Sequence, residues 1–425
     1  MSQATRGPLI GCIADDFTGA TDLAGLLQRS GMRVVQCFGT PDDDQTVVGF
    51  DAVVIALKSR SIASGEASRM SCEVAKWLRS IGSQRLFFKY CSTFDSTAEG
   101  NIGPVAESLL DLLQIRQATF CPAFPENGRS VYQGHLFVGD RLLHESSLRD
   151  HPLNPMTDAN LVRWLAAQSQ REVGLLSVEQ LSDPGSIQQT LDQLPPLVII
   201  DAIDDSHLRR IAECVVDHPL VTGGSAIAGH LASVLARRGN FDPSQAARSD
   251  PFVEGLSAVV AGSCSSATQE QVRVYSETHP VLQLDILNGA EDQQALLEHA
   301  KRWVDAHLHE RPLIASTTDP QSLQQIQSQV GIQRAAELTE TILSELAAYL
   351  VEKGVRRLVV AGGETSGAVT QKLGVQAIRI GPEIAPGVPW TESIGTTRIA
   401  LALKSGNFGS ADFFAEAFAK LPSAC

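Results

Sequence analysis

The sequence of 425 residues has no G-x-x-x-x-G-K-[ST] phosphate loop and no G-x-G-x-x-G fingerprint, so neither a Walker-type ATPase nor a standard dinucleotide enzyme is supported. Eight cysteines are scattered without a C-x-x-C pair, and no His-x-x-x-His spacing occurs, which argues against a zinc centre and against dithiol redox chemistry. No apolar run approaches the roughly 20 residues of a membrane span. The short one near the N-terminus, Leu9 to Ala14, meets Asp15 and Asp16 before it could serve as a signal-peptide core. Basic residues number 34 against 48 acidic ones, a formal charge of −14 with no basic block and no sustained acidic tail. Nucleic acid and anionic membrane are therefore poor partners, whereas a small anion needs only a few local donors. A cytoplasmic protein with reduced thiols is the expectation.

What is present is a repeated alternation of short apolar runs with helical patterns, the mark of a largely parallel sheet covered by helices. The length exceeds the roughly 250–300 residues at which one core stops growing. The fold class expected is α/β, in two domains, each a mostly parallel sheet with helices on both faces (three-layer αβα). Strands are predicted at Leu9–Ala14, Arg33–Phe38, Ala52–Leu57, Leu86–Lys89, Ala118–Pro122, Val173–Ser177, Leu197–Asp201 and Leu220–Thr222. A β-hairpin is predicted from Val131 to His144, turning at Gly139-Asp140. From Arg237 to Gly255 there is no helical or strand period, which suits a domain boundary. Beyond it, strands are predicted at Ser257–Gly262, Val281–Ile286, Leu313–Ser316, Leu358–Ala361 and Ile399–Lys404, with a long amphipathic helix carrying Leu338, Ile342, Leu346 and Leu350.

Polar clusters follow several of these strands. Ala14 to Asp22 (ADDFTGATD) places two adjacent carboxylates at the start of a helix, where they could serve acid–base or metal chemistry, or simply cap it. Lys58-Ser59-Arg60-Ser61 offers a guanidinium fork that suits a carboxylate, or a solvated loop. Lys89 to Thr97 gathers Thr93, Asp95 and Ser96, which fits polyol recognition as well as helix capping. His135 and His151 are candidate ligands or bases, although a lone histidine is more often structural. In the second half, Gly262-Ser263-Cys264-Ser265 and Gly362-Gly363-Glu364-Thr365 each run from a strand into a helix, as phosphate seats or as ordinary turns. Lys404 to Gly409 (KSGNFG) could close over a nucleotide after the last strand.

Together ADDFTGATD, KSRS, STFDSTAEGN, AGSCSSAT, AGGETSGAV and LKSGNFG resemble the four-carbon acid sugar kinase family over nearly the whole chain. The resemblance implies an acid-sugar-binding domain over residues 1–240 and a nucleotide-binding domain over 256–425, with ATP as phosphoryl donor and Mg2+ bridging its phosphates through few protein ligands. It implies that Asp15, with Asp16 and Asp95 as rivals, orients or deprotonates the terminal 4-hydroxyl of the acceptor. Asp15, Arg60, Lys89, Thr93, Asp95 and Ser96 would bind the acid sugar. Ser263, Gly362, Gly363, Glu364, Thr365 and Gly406 would hold ATP, and closure of the domains would exclude water. PENGR, YQGHLFVGDRLL, LRDHPLNPM and KSGNFG resemble the branch that acts on a 3-oxo-tetronate rather than those acting on threonate or erythronate. One departure is Glu99, where many relatives carry Arg, so the acceptor carboxylate would rest on Arg60 and Lys89. The implied partners are a small acid sugar and ATP, with neither nucleic acid nor membrane; a homo-oligomer is open. A non-catalytic sugar-acid sensor and a dehydrogenase are the rival classes, and the dehydrogenase lacks its fingerprint.

Overall fold

The computed structural model describes residues 7–150, 154–182, 185–244, 253–395 and 397–421. The chain divides into two compact units, Met1–Arg248 and Ser249–Cys425. Of the boundary segment between Arg237 and Gly255, residues 245–252 lie outside the described ones.

In the first unit β1 (Ile10–Ala14), β2 (Val34–Phe38), β3 (Ala52–Ala56), β4 (Arg85–Lys89) and β5 (Ala118–Cys121) are buried over nearly all their length. Strands of that kind need cover on both faces. Helices Phe17–Arg29 and Ser225–Arg237 pack on each other, as do Ser64–Ser80 and Ile102–Leu113, and these pairs make the covering layers. A small antiparallel sheet follows, of β6 (Arg129–Tyr132), β7 (His135–Val138) and β8 (Arg141–Leu142). Then come β9 (Val173–Leu176), β10 (Leu197–Ile200) and β11 (Leu220–Gly223), giving the parallel order β2-β3-β1-β4-β11-β5-β10-β9.

The expected hairpin is therefore three strands. Gln133 and Gly134 both adopt left-handed φ, 50° and 70°, and end the first arm at Tyr132. Such a pair is the signature of a two-residue hairpin turn. The buried Asp201 carboxylate stabilises it by accepting both amides, at 2.8 Å from Gln133 and 2.9 Å from Gly134. His144, expected in the last arm, lies in the 3-10 turn Leu143–Glu145.

The second unit contains β12 (Leu256–Ala261), β13 (Val281–Gln283), β14 (Leu313–Ala315), β15 (Val355–Ala361), β16 (Ala377–Ala385), β17 (Val388–Ile394) and β18 (Ala400–Lys404). Their order is β13-β14-β12-β15-β18-β17-β16; the first five run parallel, β17 is antiparallel to β18, and β16 is antiparallel to β17. β13 stops three residues short of the expected Ile286 because Asp285 caps helix Ile286–Glu291, accepting the Asn288 amide at 3.1 Å. The long β16–β17 hairpin has no counterpart in the strand pattern expected above. Prolines at 382, 386 and 389 interrupt its alternation and hide it. Among the described residues no helix is long and apolar enough to cross a membrane.

Candidate active site

β1 lies between β3 and β4, so the loops after these three strands leave one edge of the sheet side by side. Ligands of open parallel sheets bind in such crevices. Asp15 and Asp16 follow β1, Arg60 follows β3, and Lys89 ends β4. The Asp15 carbonyl accepts the amides of Ser59 and Arg60, at 3.0 and 3.2 Å, and this docks the KSRS turn beside the aspartates. Asn101 clamps the turn from the far side, its Nδ2 donating to the carbonyls of Ser59 at 2.5 Å and Arg60 at 3.1 Å.

Arg60 is the hub. Its fork donates twice to Asp15, Nε to Oδ2 at 3.0 Å and Nη2 to Oδ1 at 2.8 Å. Nη2 also reaches Asp16 Oδ1 at 2.5 Å, and Nη1 reaches Asp95 Oδ2 at 3.4 Å. Asn154 donates to the other oxygen of Asp95 at 2.9 Å. Lys89 adds a second cation; it is buried, and its Nζ donates to the Tyr90 carbonyl at 2.8 Å. The side chain of Asp15 is 4% exposed, against 24% for Asp16 and 17% for Asp95.

The two adjacent aspartates divide their tasks. Asp16 is the helix cap, accepting the Gly19 amide at 3.2 Å and the Thr18 hydroxyl at 2.9 Å. Burial pushes its carboxyl up, but Arg60, Lys89 and these hydrogen bonds outweigh it and hold Asp16 below the usual range. For Asp15 burial wins over Arg60, and its carboxyl is raised. One aspartate is thus a fixed negative charge and the other a stronger base.

In the loop after β4, the buried Phe94 takes a left-handed φ of 56°, rare without glycine, and packs edge-on against Tyr90 with ring centroids 5.3 Å apart. Thr93 sits with its hydroxyl 3.1 Å from Cys91 Sγ. Ser96 is 1% exposed and anchors the loop, its hydroxyl accepting from Gln168 Nε2 at 3.0 Å and its carbonyl from Trp164 Nε1 at 2.9 Å. Glu99 is exposed. His135 belongs to the small sheet, its ring bonded to the Gln133 carbonyl at 2.8 Å and to Asn160 at 3.3 Å; His151 lies outside the described residues. Asn101 and Asn154 hold this cluster together through those bonds, and residue-by-residue reading passed over both as site residues, although each stands inside a motif that drew attention. Asp22, the last residue of ADDFTGATD, is a third: it accepts the Ser225 hydroxyl at 2.5 Å, and burial raises its carboxyl.

In the second unit β12, β15 and β18 are neighbours, so AGSCSS, AGGETSG and KSGNFG emerge together. The three turns are hydrogen-bonded to one another. Gly262 donates to the Ala361 carbonyl at 2.9 Å, and Gly362 to the Lys404 carbonyl at 2.9 Å. Gly362 has φ 129°, which an L side chain rarely adopts, and it precedes the helix Gly363–Lys372. At Gly406 an added Cβ would lie 2.2 Å from Ser263 Oγ, so only glycine brings the last loop onto the first. Ser263, Gly362, Thr365 and Gly406 thus meet at one place, and Gly363 and Glu364 open the adjoining helix. Exposed amides at helix starts favour an anion there.

Beside these turns is a cavity of about 220 Å³, whose lining includes the apolar Ile286, Leu323, Ile326, Ile332 and Ala335 and the polar Ser316, Thr318, Glu364 and Thr365. It is smaller than the roughly 300–1,000 Å³ of pockets that bury a whole drug-sized ligand, and suits a flat base with phosphates outside. Its apolar wall comes from helices Ile286–Glu291, Pro320–Val330 and Ile332–Glu352, and no local motif marks those residues.

Residues 10–231 match the family described as a sugar-binding N-terminal domain, and residues 258–414 the one described as a nucleotide-binding C-terminal domain. The chain is 46% identical to a 3-oxo-tetronate kinase of Burkholderia multivorans, over 100% of both chains. It is 48% identical to a 3-oxo-tetronate kinase of Cupriavidus necator, over 97% of each. A crystal structure of a Haemophilus influenzae protein, 41% identical, covers 97% of this chain and 100% of its own with a TM-score of 0.81.

Proposed function

The chain belongs to the four-carbon acid sugar kinase family, and from that premise we propose that it transfers the γ-phosphoryl group of ATP to the terminal 4-hydroxyl of a 3-oxo-tetronate, giving the 4-phosphate and ADP. One observation carries the reading. A single chain has an aspartate cluster bridged by Arg60 at the ends of β1, β3 and β4, and a glycine-tight anion seat with an apolar cavity at the ends of β12, β15 and β18. A sensor of sugar acids needs only the first.

In the transfer the 4-hydroxyl oxygen bonds to the γ-phosphorus, its proton passes to a carboxylate, and the bond to the β,γ-bridging oxygen breaks with its electron pair leaving on ADP. We assign the proton to Asp15, whose basicity burial raises, and a fixed charge to Asp16. Arg60 and Lys89 supply positive charge for the acceptor carboxylate. Thr93 and Asp95 address its hydroxyls, and Ser96 holds their loop through Gln168. The 3-oxo group leaves hydroxyls at C2 and C4 only, and the primary C4 hydroxyl is the less hindered. Ser263, Gly362, Gly363, Glu364, Thr365 and Gly406 form the phosphate seat, and the base enters the cavity.

Among the described residues no cluster of three or more His, Cys, Asp and Glu side chains could cage a metal ion. We propose a Mg2+ held chiefly by the phosphate oxygens and water, the usual coordination of nucleotide-bound Mg2+. When bound, the ion neutralises phosphate charge. We also place the protein in the cytoplasm; its seven described cysteines are free thiols, which suits a reducing compartment.

The test is ADP release from Mg-ATP with 3-oxo-tetronates, threonates and erythronates as acceptors. The 3-oxo acid should give the highest kcat/KM. A threonate or erythronate preference would move the chain to a sister specificity, and no ADP above background with any acid would remove the kinase reading. Ile332 offers a check on the base pocket. It is an apolar side chain 69% exposed at the cavity wall, where a bound base would cover it. Ile332→Asp is expected to raise the KM for ATP about tenfold, at the ~1.5 kcal/mol that covering such a side chain contributes, without changing thermal stability. An unchanged KM would place the base elsewhere.

A further inference from the structure

Lys404, the last residue of β18, is fully buried, and among the described residues no carboxylate pairs with it. Its ammonium donates instead to three neutral oxygens: Thr268 Oγ1 at 3.1 Å, the Ser405 carbonyl at 3.1 Å and the Gly406 carbonyl at 2.9 Å. It also lies 5.9 Å from the centroid of the Phe413 ring. A buried ammonium without a counter-ion is costly, and its burial pushes the Lys404 pKa down to about 8. A fold that only needed to fill this space would carry an apolar residue there.

The Gly406 carbonyl shows what the charge does. It accepts from three donors at once: Lys404 Nζ, Ser265 Oγ at 2.7 Å and Thr268 Oγ1 at 2.8 Å. The peptide is trans, so its N–H, belonging to Asn407, points opposite to the carbonyl. The carbonyl faces the buried lysine, and the Asn407 amide therefore faces away from it, at an exposed residue. The rest of the loop is pinned as well, because Gln271 Nε2 donates to the carbonyls of Phe408 at 3.0 Å and Ser410 at 2.9 Å.

We infer that Lys404 is a positioning residue for the nucleotide's phosphates: with Ser265 and Thr268 it turns the Gly406–Asn407 peptide so that the Asn407 amide faces the polyphosphate, which in turn supplies the buried ammonium with a counter-charge. The inference rests on the kinase reading above. It deepens that reading by requiring the seat to recognise phosphate charge independently of the base. Lysine here does not touch the nucleotide, since its donors are spent on protein oxygens. Its effect is an oriented amide with a positive charge behind it.

The experiment is calorimetric titration of the full chain with Mg-ADP and, separately, with adenosine, for the wild type, Lys404→Met and Thr268→Val. Lys404→Met should weaken Mg-ADP binding at least about tenfold, as expected for losing a hydrogen bond to a charged group, and leave adenosine affinity unchanged. Thr268→Val keeps the shape and the lysine but removes one donor to the Gly406 carbonyl; it should weaken Mg-ADP about two- to tenfold, again sparing adenosine. It stands in for Lys404→Met if that variant does not fold. Equal losses for ADP and adenosine, or unchanged ADP affinity in the folded variants, overturn the inference while leaving the kinase reading in place. A wild type that binds no adenine nucleotide overturns both.

Discussion

Asp15→Asn is expected to lower kcat by about 10²–10⁴-fold, the usual contribution of a positioned proton acceptor, with the fold and the KM for ATP close to wild type. Asparagine keeps the shape of the side chain and one oxygen for the Arg60 fork, and Arg60 retains Asp16 and Asp95. What is lost is the ability to take the proton of the 4-hydroxyl. The pH profile supplies an independent sign. Burial raises the Asp15 carboxyl, so the acid limb of wild-type kcat/KM should lie above the ordinary aspartate value of about 3.9. Activity should rise with pH through that limb as Asp15 ionises, and the limb should vanish in the variant. Near-wild-type turnover would move the proton to Asp16 or Asp95. Both have more open side chains than Asp15, at 24% and 17% against 4% exposure.

Arg60→Met is expected to cost about 3–5 kcal/mol of stability, the typical penalty for removing one partner of a buried ion pair. The guanidinium binds Asp15 and Asp16 together, and its own side chain is only 19% exposed. Without it, burial is still opposed by Lys89 and, at Asp16, by the hydrogen bonds from Thr18 and Gly19, but no longer by the guanidinium, and both carboxyls rise. A carboxyl raised in the folded state gives its stability below the unfolded value and loses it as pH climbs through the folded one. The deficit of Arg60→Met against wild type should therefore be smaller at pH 5 than at pH 8. Urea denaturation at the two pH values measures it. A deficit under about 1 kcal/mol, in the range of an exposed surface pair, or one that does not grow with pH, would contradict the three-carboxylate arrangement.

Much of this arrangement can be read from local chemistry. Asp15, Arg60, Lys89 and Ser263 stand out because each follows an apolar strand that ends in a polar turn, and parallel strands bring such turns to one edge. The long-range partners cannot be read that way. Arg60 looks in the sequence like a free cation awaiting a ligand, and in the fold its arms are already on Asp15 and Asp16, some 45 residues away in the chain. Asn101 and Asn154 are similar cases, since an amide that clamps a distant turn has no local pattern. The base-side cavity is concealed for another reason. Leu323, Ile326 and Ile332 sit on amphipathic helices whose apolar positions read as core, and only the packed unit shows a cavity beside them. The hairpin errors are local conflicts. Val131 to Val138, rich in aliphatic and aromatic residues, reads as one arm, yet Gln133-Gly134 turns it back, with Asp201 accepting both amides. Proline at 382, 386 and 389 masks a paired hairpin in which Trp390 is buried at its centre.

The central claim is transfer to one particular oxygen, and the product tests it most directly. After incubation of the protein with Mg-ATP and a 3-oxo-tetronate, phosphorus–proton correlation NMR should show a new phosphate ester coupled to the two protons on C4, formed in equal amount to ADP. Phosphorus coupled to the proton on C2, or ADP formed with free phosphate and no ester, would contradict the account.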